Sequence, residues 1–395
     1  MKTSKDRILT THVGSLPRPH DLLDILKLKM DGADYDADAL DAQIAASVDR
    51  MVAQQVDAGI DIVADGEMSK PGHAIYIEER LTGYEQRPGF DTGYYAAEKK
   101  AFPEYYEDYF ARAHLGGAIA PAHPVICIGP VEYVGHEALG KDLENLRASC
   151  TKYGVEEAFM PCAAVTGVGH NEYYGSQEEY MYAVADALSV EYNAIIDAGF
   201  LLQVDDPFLP HVYMDTSLSE KERLAKANMF VETVNHSIKG IPEEKIRYHT
   251  CYGINQGPRV HEPDLPMMVN EVLKVNAGAY SFEAGNPRHE HEYHLWEEVK
   301  LPDGKLVAPG VITHASSVVE HPEYIAERIM RFADRCGREN VLASTDCGFS
   351  SQAIYKTEVE NRVVWAKLKS LAQGARIASE KLWGRASTEQ RQSVR

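Results

Sequence analysis

Apolar residues along this chain recur with two periods, and the two alternate almost from end to end. Between Ala37 and Ala58, Leu40, Ile44, Val48, Met51 and Val52 follow the 3.6-residue period of a helix, with Asp36 placed to cap its start. Ser176 to Ala198 repeats the pattern through Met181, Val184, Leu188, Tyr192 and Ile195. Further helices are predicted near 137–149, 218–238, 264–275, 321–336 and 357–382. Between them lie short β-branched or apolar runs at 8–14, 60–65, 124–131, 201–205, 245–251, 279–283, 309–314 and 340–346. Eight strands alternating with helices predict an α/β fold of the (β/α)8 TIM-barrel type. Three helix-to-strand joints end in Gly59, Gly199 and Gly278, each read as a left-handed helix stop. No Pro- or Ser-rich linker divides residues 1–395, so one domain is expected.

Two stretches break the rhythm. Residues 83–120 form an aromatic-rich insertion, and residues 286–304 hold a His/Glu cluster with Trp296. Both follow strand ends, where barrel insertions build lids or subunit contacts. Either role suits the aromatic one, and a homo-oligomer is one outcome.

Composition narrows the function classes. The net charge of −20 argues against nucleic acid or an anionic membrane as partner. It leaves small molecules, including small anions held by a few local cations. No stretch approaches the ~18 apolar residues of a membrane span. Polar Met1 to Arg7 predicts no signal peptide, so a cytoplasmic protein is expected. Six cysteines are too sparse for a disulfide framework; Cys127, Cys150, Cys162 and Cys336 read as buried thiols.

The chemistry-bearing residues gather where strand runs end. Ser15 follows the first, Glu67 the second and Asp205 the fourth. His249 and Cys251 end the fifth, Glu283 the sixth, His314 the seventh and Cys347 the eighth. In a (β/α)8 barrel these ends form the rim where active sites are built. Residues i and i+2 of a strand project to one side, so His249 and Cys251 can chelate one ion. With Cys347 and Glu283 at other strand ends, two sulfurs, an imidazole and a carboxylate suit zinc better than magnesium or calcium. His289, His291 and their glutamates are a second metal candidate, without cysteine or rim position.

The motifs Val13-Gly14-Ser15-Leu16-Pro17, Gly66-Glu67, Gly129-Pro130-Val131, Gln203-Val204-Asp205-Asp206-Pro207, His249-Thr250-Cys251-Tyr252, Ser281-Phe282-Glu283, Pro309-Gly310-Val311 with His314, and Asp346-Cys347-Gly348 resemble the catalytic half of cobalamin-independent methionine synthase. They stand in the same order and span nearly the whole chain, as in short, core-only members of that family. The resemblance implies Zn(2+) held by His249, Cys251, Glu283 and Cys347. It implies that Ser15, Glu67 and Asp205 bind the amino-acid part of a homocysteine-like thiol, and that His314 donates a proton. The implied reaction is methyl transfer from a methyl-tetrahydrofolate-type donor to homocysteine or a related thiol, a step of methionine biosynthesis. The chain departs from full-length members in its insertion at 83–120 and in Gly348-Phe349-Ser350-Ser351-Gln352 after Cys347. Two alternatives stay open. Epoxyalkane:coenzyme M transferases resemble this family and open an epoxide with a thiolate; Arg18, Lys70 or Arg288 could clamp the sulfonate. A non-catalytic barrel with a structural zinc is the other.

Overall fold

The structure, a computed structural model, describes residues 1–73, 75–112, 117–120, 123–253 and 256–384. Eight parallel strands form a nearly closed (β/α)8 barrel: β1 (Leu9–Thr10), β2 (Ile62–Val63), β3 (Glu157–Ala163), β4 (Leu201–Asp205), β5 (Ile246–His249), β6 (Ala279–Phe282), β7 (Leu306–Ile312) and β8 (Leu342–Thr345). The ladder runs β1-β8-β7-β6-β5-β4-β3-β2. Where β1 meets β2, Asp61 N–H donates to the Thr10 carbonyl at 3.1 Å and Thr11 Oγ1 to the Ile62 carbonyl at 3.0 Å.

Alternation along each strand sorts side chains into two cores. Leu9, Ile62, Phe159, Leu201, Ala279, Leu306 and Leu342, from seven different strands, fill the barrel interior. The remaining strand, β5, contributes Arg247, which lies 3.9 Å over the Phe159 ring and donates to Thr11 Oγ1 and the His12 carbonyl. Outward residues such as Val63, Met160, Leu202, Tyr248 and Val307 join the surrounding helices in a cluster running from Ile8 to Ala378.

The helices start and stop for local reasons. Asp36 accepts from Ala39 N–H, Ser176 from Glu179 N–H, and Ser219 forms a capping box with Glu222. Gly59 (φ +86°) and Gly199 (φ +89°) take the expected left-handed turn. Gly278 does not. The segment predicted as a helix at 264–275 is broken into Leu265–Met267 and Val269–Val272, and Gly278 instead lets the chain pass the Glu243 backbone, 2.6 Å from where a Cβ would sit.

The third strand is the main correction. The run 124–131 forms only Val125–Cys127, in a separate three-stranded sheet with Tyr84–Gln86 and His170–Asn171, so Gly129-Pro130-Val131 is not on a barrel strand. The barrel strand is Glu157–Ala163, concealed by Pro161, which reads as a strand breaker. It is tolerated because β2 pairs only with Glu157 and Ala158, and the Pro161 carbonyl takes Lys70 Nζ at 2.5 Å instead of a ladder donor. Within the insertion 83–120 lie the helices Ala96–Ala101 and Pro103–Arg112, also absent from the periodicity reading. No helix among the described residues is long and apolar enough to cross a membrane.

Candidate metal and thiol site

A cavity of about 230 Å³ opens at the C-terminal ends of the strands. Its wall includes Ser15, Glu67, Asp205, His249, Cys251 and Cys347 from the rim, and Tyr94 and Tyr95 from the insertion. Six of the eight residues singled out from the sequence therefore share one space, while Glu283 and His314 lie beyond its wall.

Ligand atoms of His249, Cys251 and Cys347 lie within 4.8 Å of one another, and all three residues are buried. His249 Nδ1 is 3.2 Å from Ser281 Oγ on the adjacent strand, which leaves Nε2 buried without a partner. Burial and the Arg247 charge hold this imidazole down at about 3, in the neutral form a metal requires. A hydrogen bond with Cys251, with burial added, pushes the Cys347 thiol well above its usual range. A cation bound beside the Cys347 thiol would favour its ionised form. The donor set and the orphaned imidazole nitrogen both fit zinc.

Glu283 belongs to an adjoining buried group with His314 and Asp346. Its Oε2 accepts from Arg259 Nη2 at 2.7 Å and Asn286 Nδ2 at 2.8 Å, and its Oε1 is buried without a partner. Asp346 fixes the turn after β6: its Oδ1 accepts from Ala284 and Gly285 N–H at 2.8 and 2.6 Å. A Cβ at Gly310 would overlap Asp346, so only glycine admits this close packing.

In the same cavity, Glu67, His73 and Asp205 bring ligand atoms within 4.8 Å of one another. Glu67 has φ +59°, a left-handed backbone stabilised by Asp65 Oδ1, which accepts its N–H at 3.0 Å. Such strain in a non-glycine residue marks functional sites. Glu67 Oε2 is buried without a hydrogen-bond partner. Burial, then the Glu67 charge, raises the Asp205 carboxyl well above the ordinary range, although Gln203 Nε2 donates to it at 2.8 Å. Lys70 Nζ lies 3.9 Å from the other Glu67 oxygen, Oε1, so Oε2 is the acceptor of this carboxylate that stays unfilled. Ser15 Oγ accepts from Ser350 N–H at 3.3 Å, and Gly348 lies so close that any side chain there would strike Ser15.

Sequence reasoning missed several residues here. His73, Tyr94, Tyr95 and His211 line the cavity, and burial drops His211 to about 4. His73 could have been noticed from its position six residues after Glu67. Arg259, in the 252–263 segment without helical or strand period, carried no signal. Of the cationic candidates, Arg18 donates to the Ser350 and Glu67 carbonyls and Arg288 to Val260, while Lys70 donates to the Pro161 carbonyl and stands 3.9 Å from Glu67 Oε1, a buried ion pair behind the acidic wall. The second metal candidate divides: His289 lies between Glu262 and Glu292 at 3.0 Å from each, while His291 groups with Asp264 and Glu292. Cys127, Cys150, Cys162 and Cys336 are buried and unpaired by disulfides, as expected.

The fold and rim define an α/β barrel that gathers one imidazole and two thiols beside two carboxylates in a single cavity. The profile of the family described as cobalamin-independent synthase, catalytic domain, matches residues 120–367, and the chain belongs to that family. It is 24% identical over 374 residues to a methionine synthase of Sulfurisphaera tokodaii, covering 94% of this chain and 93% of that protein. A methionine synthase of Sulfolobus acidocaldarius matches at 24% over 375 residues. The structure of a B12-independent methionine synthase from a Shewanella species, in complex with selenomethionine, superposes with a TM-score of 0.72 at 20% identity. That superposition covers 96% of this chain and all of the other, and it supports the same fold.

Proposed function

We propose that this protein is a single-domain, zinc-dependent methyltransferase that methylates homocysteine or a closely related amino-acid thiol. The observation that carries the reading is one small cavity walled both by the cluster His249, Cys251 and Cys347 and by the carboxylates Glu67 and Asp205. Its curated relatives are methionine synthases across nearly their full length, which supports the same reaction.

Zinc would be held by His249, Cys251 and Cys347, with Glu283 as the fourth protein ligand, and would supply a Lewis acid that lets a bound thiol lose its proton near neutral pH. The chain's own groups do the rest. Glu67 and Asp205 accept hydrogen bonds from the substrate ammonium, and Ser15 with the Gly348–Ser350 backbone faces its carboxylate end. The cavity lies below the ~300–1,000 Å³ of drug-sized ligand sites, which suits a small thiol. Tyr94 and Tyr95 exclude water from the sulfur. His314 is the proton donor to the departing group of a methyl-tetrahydrofolate-type donor. It stands beside Glu283 and Asp346, just behind the cavity wall.

Among the described residues no Lys or Arg lines the cavity, which disfavours a sulfonate clamp of the coenzyme M type. A structural zinc site is closed by its ligands, whereas this one borders an open cavity. The test incubates purified protein with homocysteine and methyl-folates, and in parallel with coenzyme M and small epoxides, reading products by mass spectrometry. Methionine formation supports the proposal; a coenzyme M adduct without methionine rejects it.

A further inference from the structure

We propose that Arg259 is a positioning residue for Glu283, and that the aromatic insertion holds Arg259 in place. This rests on the zinc reading above. Arg259 is buried with φ +54°, a backbone conformation that side-chain-bearing residues rarely adopt. Its Nε donates to both Glu262 oxygens at 2.7 and 2.9 Å, and its Nη2 to Glu283 Oε2. With Asn286 on the same oxygen, one side of the Glu283 carboxylate is fully occupied and Oε1 is left buried and free. That arrangement, one oxygen pinned and one presented, is how an outer partner orients a metal-binding carboxylate.

Glu262 is braced in turn by His289 Nε2 at 3.0 Å, and His289 stacks on Tyr252 with ring centroids 4.3 Å apart. The insertion grips this same loop. Tyr95 OH donates to the Tyr252 carbonyl at 3.2 Å, and Gln256 N–H donates to Tyr109 OH at 3.4 Å. Glu98, itself buried, accepts from His261 N–H through Oε1 and from Tyr106 OH through Oε2 at 2.9 Å. Chain segments about 160 residues apart therefore meet around one arginine, and the strained backbone at Arg259 persists because they fix it from both sides.

The test is chelator competition for zinc in the full-length protein, with cobalt-substituted absorption spectra as a second readout. Arg259→Gln should bind zinc ~10–100-fold more weakly, the usual effect of removing an outer-shell partner. Arg259→Lys should recover only part, because an ammonium cannot span two carboxylates as a guanidinium does. In a Glu283→Gln background, Arg259→Gln should change zinc affinity little further. Tyr106→Phe, which removes one hydroxyl from the clamp, keeps the fold and should weaken zinc a few-fold. Unchanged or tighter zinc in Arg259→Gln overturns the proposal, as does an equal loss in the Glu283→Gln background. If Arg259→Gln fails to fold, unchanged zinc affinity and cobalt spectrum in Tyr106→Phe overturn it. Wild-type protein that holds no zinc would instead reject the metal reading on which it rests.

Discussion

Replacing Asp205 with Asn removes one of the two charges expected to meet the substrate ammonium, while preserving shape and one acceptor oxygen. A carboxylate and an ammonium ~4 Å apart attract by ~4 kcal/mol at an effective dielectric near 20, before desolvation is subtracted. Hydrogen bonds to charged groups retain ~1.5–3 kcal/mol net, so thiol affinity should fall by ~10–150-fold. Asp205 is 6% exposed and already repelled by Glu67, so the free protein should not lose stability; relief of that repulsion should make Asp205→Asn at least as stable as wild type. The assay is calorimetric titration with homocysteine and with 4-mercaptobutyrate, which lacks the amine, at fixed zinc content. Wild type should prefer homocysteine, and Asp205→Asn and Glu67→Gln should each erase most of that preference. Equal binding of both thiols by wild type would refute the ammonium assignment.

Cys251→Ala and Cys347→Ala should each lose most bound zinc on metal analysis, since two remaining ligands and a carboxylate chelate poorly; full occupancy in both would remove the site. His314→Asn should keep zinc and thiol affinity but slow turnover by ~10²–10⁴ if the histidine is the acid. Turnover within a few-fold would leave it as an internal partner of Glu283 and Asp346. The stability of the Arg259–Glu262–His289 network should depend on pH. Burial alone would lower His289, but the hydrogen bonds it donates to Glu262 and Glu292 outweigh it and raise the group from 6.5 to about 9. A raised histidine contributes stability that is fully present below pH 6.5 and lost as pH rises through about 9. Denaturant unfolding between these values should show that loss in wild type and not in His289→Gln; parallel curves would contradict it.

The rim was legible because parallel strands are apolar runs, so the polar residues that end them stand out: Ser15, Glu67, Asp205, His249, Cys251, Glu283, His314 and Cys347. The barrel followed from the alternation of periods. What stayed hidden depends on contacts distant in sequence. Pro161 disguises β3, because its tolerance rests on how short β2 is. Nothing local says that Glu98 will cap a turn at His261, or that Arg259 will be bent into a left-handed backbone to reach Glu283. The insertion showed only its aromatic content; its contacts with the 252–262 loop and with the cavity emerge from packing. Glu283 was legible as a ligand candidate, but the hold of Arg259 and Asn286 on its second oxygen, which leaves the first one free, was not.

The central claim is that the thiol substrate reaches a metal held by two cysteines of this chain. X-ray absorption at the zinc edge, recorded on the protein with and without homocysteine, tests it most directly. Zinc–sulfur distances should lie near ~2.3 Å. The account predicts two sulfur neighbours without thiol and three with it. An unchanged count at saturating homocysteine would contradict it.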